Sequence, residues 1–224
     1  MILEDLKKYA YNCIHDVYVD EYEDYISCQT HKWACKRFLN DLKRSQTDDD
    51  CWFYWDEEKA QSIYDWFSLL RHSKGELSGT PIYLNPWQKF AMCQLYGWRR
   101  KDNGRRRFKR SFFELARKNS KSQLESGVAL YEASVTATSN KEVAEIYTAG
   151  TKREQSKIVW EECKLMLRGS PLQTKCSERN FRRETRKGCS HMATDDGQSE
   201  SKCRRVCNLE SDCKRDFKLY TICE

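Results

Sequence analysis

The 224-residue sequence has no uninterrupted apolar run of about 18 residues, the length that would predict a membrane-spanning helix. No basic segment leads into a short apolar stretch at the N-terminus, so no signal peptide is expected and a cytoplasmic location is. Paired Cys-x2-Cys knuckles are absent although the chain carries twelve cysteines. Six of them (Cys13, Cys28, Cys35, Cys51, Cys93 and Cys163) are scattered through helical and apolar patterns. Without a secretory signal they read as reduced packing residues. Charge of one sign is not dominant either. Forty basic and thirty-four acidic residues leave +6, compatible with nucleic acid but not diagnostic of it.

What is present is organised around Ser111-Phe112-Phe113-Glu114-Leu115-Ala116-Arg117-Lys118-Asn119-Ser120-Lys121-Ser122. An apolar, β-prone run enters a polar turn, and the turn opens a helical pattern through Leu124, Val128 and Tyr131. Strand, turn ending in Lys-Ser, then helix is the setting of a phosphate-binding loop. The first amides of a helix lack partners and carry partial positive charge, so phosphate oxygens fit there. Lys121 would add a full charge, and the Ser122 hydroxyl would reach Mg²⁺. Two glycines of the usual loop are missing, since Leu115 and Ser120 occupy their positions. A left-handed backbone at a non-glycine residue costs roughly 1–2 kcal/mol. Read alone, the segment is equally an ordinary basic strand-to-helix turn.

Residues 1–75 predict a helical lead-in. Leu3, Leu6, Ala10, Cys13, Ile14 and Val17 recur at helical spacing, as do Ala34, Phe38, Leu39 and Leu42. A third helix begins near Asp56, carries Ala60, Ile63, Phe67 and Leu70 on one face, and stops at Gly75. Asp20–Asp24 and Asp48–Asp50 read as solvated connections. Trp52, Phe53, Trp55, Trp66 and Phe67 read as core rather than as a binding platform.

Pro86 opens a further helix. On it, Gln88 could read the edge of an adenine, accepting and donating together, or could be a surface glutamine on a capped helix. Between Arg99 and Arg110 eight of twelve residues are basic: Arg99, Arg100, Lys101, Arg105, Arg106, Arg107, Lys109 and Arg110. Asn103-Gly104 marks a tight turn at the centre. Such an arm could contact DNA phosphates, supply charge to a neighbouring subunit's nucleotide, or be a solvated loop.

After the loop, the helix is expected to run to about Ala137, with a polar turn at Thr138–Asn140 and a second strand over Val143–Ala149. Thr151-x-x-Glu154 then reads as a capping box opening a helix with Ile158, Val159, Cys163, Met166 and Leu167, closed by Gly169 and Pro171. Strand, helix, strand at this length predicts a βαβ unit and a parallel α/β sheet.

Trp87-Gln88, the basic stretch, the segment from Phe112 to Ser122, then Ile146-Tyr147-Thr148-Ala149-Gly150-Thr151 with Gln155 occur in that order. The ordered set resembles the N-terminal ATPase region of the large terminase subunit of tailed bacteriophages, over about residues 5–173. His31-Lys32-Trp33-Ala34-Cys35 and Lys74-Gly75-Glu76 in the lead-in resemble the same family. Arg117, Lys118, Asn119, Lys121 and Ser122 match its Arg-Lys-Asn-Gly-Lys-Ser loop, and Ser120 departs from it. The resemblance implies a P-loop NTPase-like parallel sheet, incomplete here, with Gln88 on the adenine side. It implies that Arg117, Lys118, Asn119, Ser120, Lys121 and Ser122 hold ATP, with Mg²⁺ at Ser122. It further implies ATP-driven packaging of double-stranded DNA into a capsid, alongside a portal, a small terminase subunit and other copies of the chain. The place would be a host cytoplasm.

A later strand ending in Asp-Glu, which would hold Mg²⁺ and orient the attacking water, is not visible. From Thr174 the character changes: residues 174–224 hold nine apolar residues other than cysteine in 51 positions, with six cysteines. Three readings stand: a shifted reading frame, a zinc appendage drawing on Cys189, His191, Cys203, Cys207 and Cys213, or a disordered end. The expected organisation is therefore a lead-in over 1–75, a partial ATPase domain over 76–173, and a basic, cysteine-rich tail over 174–224. One functional expectation is a truncated packaging ATPase that binds ATP without hydrolysing it alone, its nuclease domain lacking. The alternative is a non-enzymatic basic module that binds nucleic acid or a partner subunit. A complete small kinase is not expected without an acidic strand end.

Overall fold

The computed structural model describes residues 1–18, 25–116, 119–140, 146, 148, 153–173 and 218–220. These form two compact units, Met1–Asp65 with Tyr83–Phe108, and Trp66–Ile82 with Lys109–Glu224.

In the first unit, α1 (Ile2–Ile14) packs on α2 (Gln29–Thr47). Leu6, Ala10 and Cys13 are buried on α1 as expected, while Ile2 is buried at its start and Leu3, named in the expected stripe, is half-buried. The stripe was expected to reach Val17. The helix instead stops at Ile14, and Asp16 takes a left-handed backbone with φ 50°. β1 (Phe53–Trp55) pairs antiparallel with β2 (Trp98–Arg100), Tyr54 facing Arg99. α3 (Glu57–Leu69) follows β1, and α4 (Pro86–Gly97) leads into β2. Phe38, Phe53, Phe90 and Trp98 meet edge-to-face at the centre, with ring centroids 5.3–6.1 Å apart. Phe53, Trp66 and Phe67 are buried as expected, while Trp52 is exposed. Cys13, Cys35, Cys51 and Cys93 are buried free thiols, and burial pushes Cys93 up to about 12. Cys28 departs from the packing role expected of it, because it is exposed.

The basic segment folds as a hairpin. Arg107 N–H donates to Trp98 O and Arg100 N–H to Arg105 O, both at 2.9 Å, and Gly104 turns the chain at φ 64°. Arg107 is half-buried against the core. Its guanidinium lies 3.6 Å from the centroid of the Phe53 ring and donates to Asp41 Oδ2 at 2.7 Å.

In the second unit, β3 (Arg110–Phe112) precedes α5 (Lys121–Tyr131), a π-helical turn (Glu132–Thr136), α6 (Ala137–Asn140) and α7 (Arg153–Leu167). The polar turn expected at Thr138–Asn140 is helical instead. α7 agrees with its expected span. Most of the second strand expected over Val143–Ala149 lies outside the described residues, as does the Thr151 cap. β3 finds a parallel partner elsewhere, in β4 (Lys218–Tyr220), with Ser111 opposite Leu219. Lys218–Tyr220 form a strand within the tail, and the remaining residues after Gln173, including Cys189, His191, Cys203, Cys207 and Cys213, lie outside the described residues. The described residues are mainly helical, with one small antiparallel and one small parallel pair, not the larger parallel sheet expected.

α5 and α7 touch closely because α5 presents small residues. Ser126 is fully buried and its Oγ donates to Val159 O at 2.9 Å. A Cβ on Gly127 would stand 2.2 Å from Cε1 of the buried Phe67, and the Gly127 carbonyl accepts from Trp66 Nε1 at 3.0 Å.

Arg107→Ala should lower unfolding free energy by about 3–5 kcal/mol, because Asp41 would be left buried without its partner. Arg105→Ala, on the exposed hairpin tip, should change it by less than about 0.5 kcal/mol in the same urea titration.

Candidate nucleotide site

The turn expected to hold phosphate is built on the backbone of Ser120. It caps α5 at φ 54°, ψ 26°, the left-handed conformation for which a glycine would be the unstrained choice. Asn119 Nδ2 donates to Ala116 O at 3.2 Å and closes the turn. The first α-helical bond runs from Leu124 N–H to Ser120 O at 3.0 Å, and Ser120 makes no side-chain cap. The amides of Lys121, Ser122 and Gln123 therefore precede the helix's own ladder. No acidic residue lies in the first turn of α5, so nothing there neutralises its positive end. Lys121 and Ser122 are half-buried, and Asn119 and Ser120 are exposed. Strand, turn, Lys-Ser and helix thus follow one another as the sequence predicts. Arg117 and Lys118 lie outside the described residues.

Three contacts missed in the sequence tie the 72–74 segment to the helices of this unit. Gln123 Nε2 and His72 Nδ1 stand 3.2 Å apart. Ser73 Oγ donates to Glu162 Oε1, and Lys74 Nζ lies 3.5 Å from Glu162 Oε2. Glu162 is buried on α7, so the 72–74 segment is held to both α5 and α7. A half-apolar helix such as α7 offers a buried carboxylate at Glu162 as the signal, but its partner Lys74 is 88 residues away and not readable from spacing.

Gln88 belongs to the first unit. It is buried, and its Oε1 accepts from Asn85 N–H at 2.9 Å in a capping box at the start of α4. The helix is capped as the second alternative expected, but Gln88 is buried and not on the surface.

The basic residues separate by environment. Arg106 is buried, with its guanidinium 4.9 Å from the Tyr96 ring centroid, and Arg107 is paired with Asp41. Arg100 forms a two-bond fork with Asp102, at 3.0 and 2.7 Å, and Arg99 donates to Gly104 O. Arg105, Lys109 and Arg110 are exposed. No helix among the described residues is long and apolar enough to cross a membrane.

Residues 86–197 match the family described as the terminase large subunit, ATPase domain. That is half of the chain, and it includes the candidate loop, α5 and α7. The chain belongs to the terminase large subunit ATPase family. The matched span continues past Thr174, where the resemblance was expected to end, and begins after the helical lead-in. No curated protein and no solved structure matches the chain.

Ser120→Gly should raise stability by about 1 kcal/mol or less: release from the left-handed cost of roughly 1–2 kcal/mol is partly offset by about 0.4–1 kcal/mol of added freedom in the unfolded chain. Ser120→Val should be clearly destabilising, and thermal melts of the two variants test the turn's geometry together.

Proposed function

We propose that this chain is the nucleotide-binding part of a motor that packages double-stranded viral DNA. ATP with Mg²⁺ binds at the start of α5. The observation that carries this reading is the left-handed Ser120 turn, which delivers Lys121 and Ser122 as the first residues of a helix in a terminase-family chain. Lys121 would neutralise the β and γ phosphates, Ser122 would ligate Mg²⁺, and the open amides would bond the phosphate oxygens. Asn119, with Arg117 and Lys118 before it, would complete the loop. Family likeness supports a P-loop NTPase-like arrangement, an adenine-side position for Gln88, and an assembly with portal, small subunit and further copies.

Hydrolysis needs a carboxylate that orients water and another that holds the metal. Around the loop, Glu114 is exposed on the approach and Glu125 lies on α5 itself. Neither stands at the end of a neighbouring strand, where such groups are fixed. On this reading the described residues supply a phosphate cradle without those carboxylates, and ATP binds to this chain without turnover. Isothermal titration should give Mg-ATP heats that Lys121→Ala abolishes, and phosphate release should stay at background with or without DNA. Equal heats from both proteins would remove the site, and turnover abolished by Lys121→Ala would reveal a completing acid.

The exposed cations favour a DNA-contacting role for the basic segment. Affinity for duplex DNA should fall steeply with salt, the log–log slope set by the number of phosphates neutralised. Replacing Arg105, Lys109 and Arg110 with Ala should flatten that slope without unfolding the protein. An unchanged slope would remove these residues from the contact. DNA binding with no nucleotide affinity at all would favour the non-enzymatic module.

A further inference from the structure

The first unit carries a side-chain cluster that the nucleotide site does not use. Cys13 from α1 and His31 and Cys35 from α2 bring their sulfur and nitrogen atoms within 4.8 Å of one another. His31 and Cys35 are four residues apart, so one face of α2 presents both. Both cysteines are buried free thiols, and His31 is half-buried. Tyr9 Oη lies 2.9 Å from His31 Nε2, in the position of an outer neighbour that orients a ligating imidazole.

We propose that Cys13, His31 and Cys35 form a metal site for Zn²⁺ that ties α1 to α2. Two sulfurs and an imidazole nitrogen select a borderline-soft ion over Mg²⁺ or Ca²⁺, which take oxygen. In a tetrahedral zinc site the ligand atoms stand about 3.6–3.8 Å apart, so a contraction of no more than about an ångström closes the set. Charge also balances. Two thiolates and one dication sum to zero, and a neutral imidazole adds none, so the filled site suits an apolar cluster containing Phe38 and Phe90. A solvent molecule takes the fourth position. Cys28 is not part of the set, since its sulfur sits 3.1 Å from Thr30 Oγ1 on the surface.

The experiment uses the full chain with the six cysteines after Thr174 changed to Ser, so that only this unit's thiols and the buried Cys163 of α7 remain. Reduced protein is titrated with Co²⁺, then with Zn²⁺ against a chromophoric chelator. One equivalent should bind, with sulfur-to-cobalt charge-transfer absorption and tetrahedral d–d bands that Zn²⁺ displaces. Cys13→Ser and Cys35→Ser should weaken binding by more than about 100-fold, beyond the loss expected of an outer neighbour. His31→Gln, at a half-buried position, gives a second variant whose fold circular dichroism can verify, and it should lose affinity likewise. Cys28→Ser should bind as the parent does, and the melting temperature should rise with Zn²⁺ only where the site is intact. Absence of the charge-transfer band in the reduced parent, or equal binding by Cys13→Ser and His31→Gln, would overturn the proposal. So would a Cys13–Cys35 disulfide that, once reduced, leaves thiols taking up no metal.

Discussion

The contact between Gly127 and the Phe67 ring fixes where α5 can lie. A side chain on residue 127 would stand inside the ring's van der Waals surface, and the ring is fully buried with no path of retreat. The neighbouring Ser126 is the other half of the same constraint. Its single hydroxyl hydrogen is shared between the carbonyl of Ser122 in the preceding turn and that of Val159 on α7. α5 is thereby pinned through backbone-scale contacts, which tolerate less slack than interdigitated long side chains do. The start of the helix, with Ser120, Lys121 and Ser122, inherits that placement. A turn with serine where a glycine would be unstrained depends on such support, because the left-handed strain at Ser120 persists only where surrounding contacts over-determine it.

The basic hairpin illustrates how composition and role part company. Arg105, Arg106 and Arg107 are adjacent in sequence and identical in type. One is exposed, one is buried under Tyr96, and one closes a half-buried ion pair with Asp41 while covering Phe53. Arg106 bridges to Arg99 across the hairpin, while Arg105 lies at its exposed turn. The rest follows from guanidinium chemistry: a planar, weakly hydrated cation stacks on aromatic rings where an ammonium would keep its water. Any electrostatic role in DNA contact falls to the residues that the core has not claimed.

Local periodicity made α1, α2 and α7 legible, because each buries one stripe and each stripe recurs at helical spacing. The strand–turn–helix around Ser120 was legible for the same reason, a change from alternation to helical repeat at a polar turn. What escaped were long-range partnerships. Asp41 and Arg107, Glu162 and Lys74, and Cys13 with His31 and Cys35 are separated by folding rather than by any fixed interval. The cysteine cluster in particular does not use paired knuckles, so spacing rules passed over it. The pairing of β3 with Lys218–Tyr220 was missed because that stretch lies in a polar tail where no apolar run announces a strand.

The central claim is that the first turn of α5, opened by a left-handed serine, is a phosphate site. It is tested most directly by amide chemical shifts in ¹⁵N-labelled protein as Mg-ATP is added. The account predicts that the largest shifts fall on Asn119 through Gln123, and that adenosine, lacking phosphates, produces none there. Shifts that leave those amides unmoved while others respond, or that adenosine reproduces in full, would contradict it.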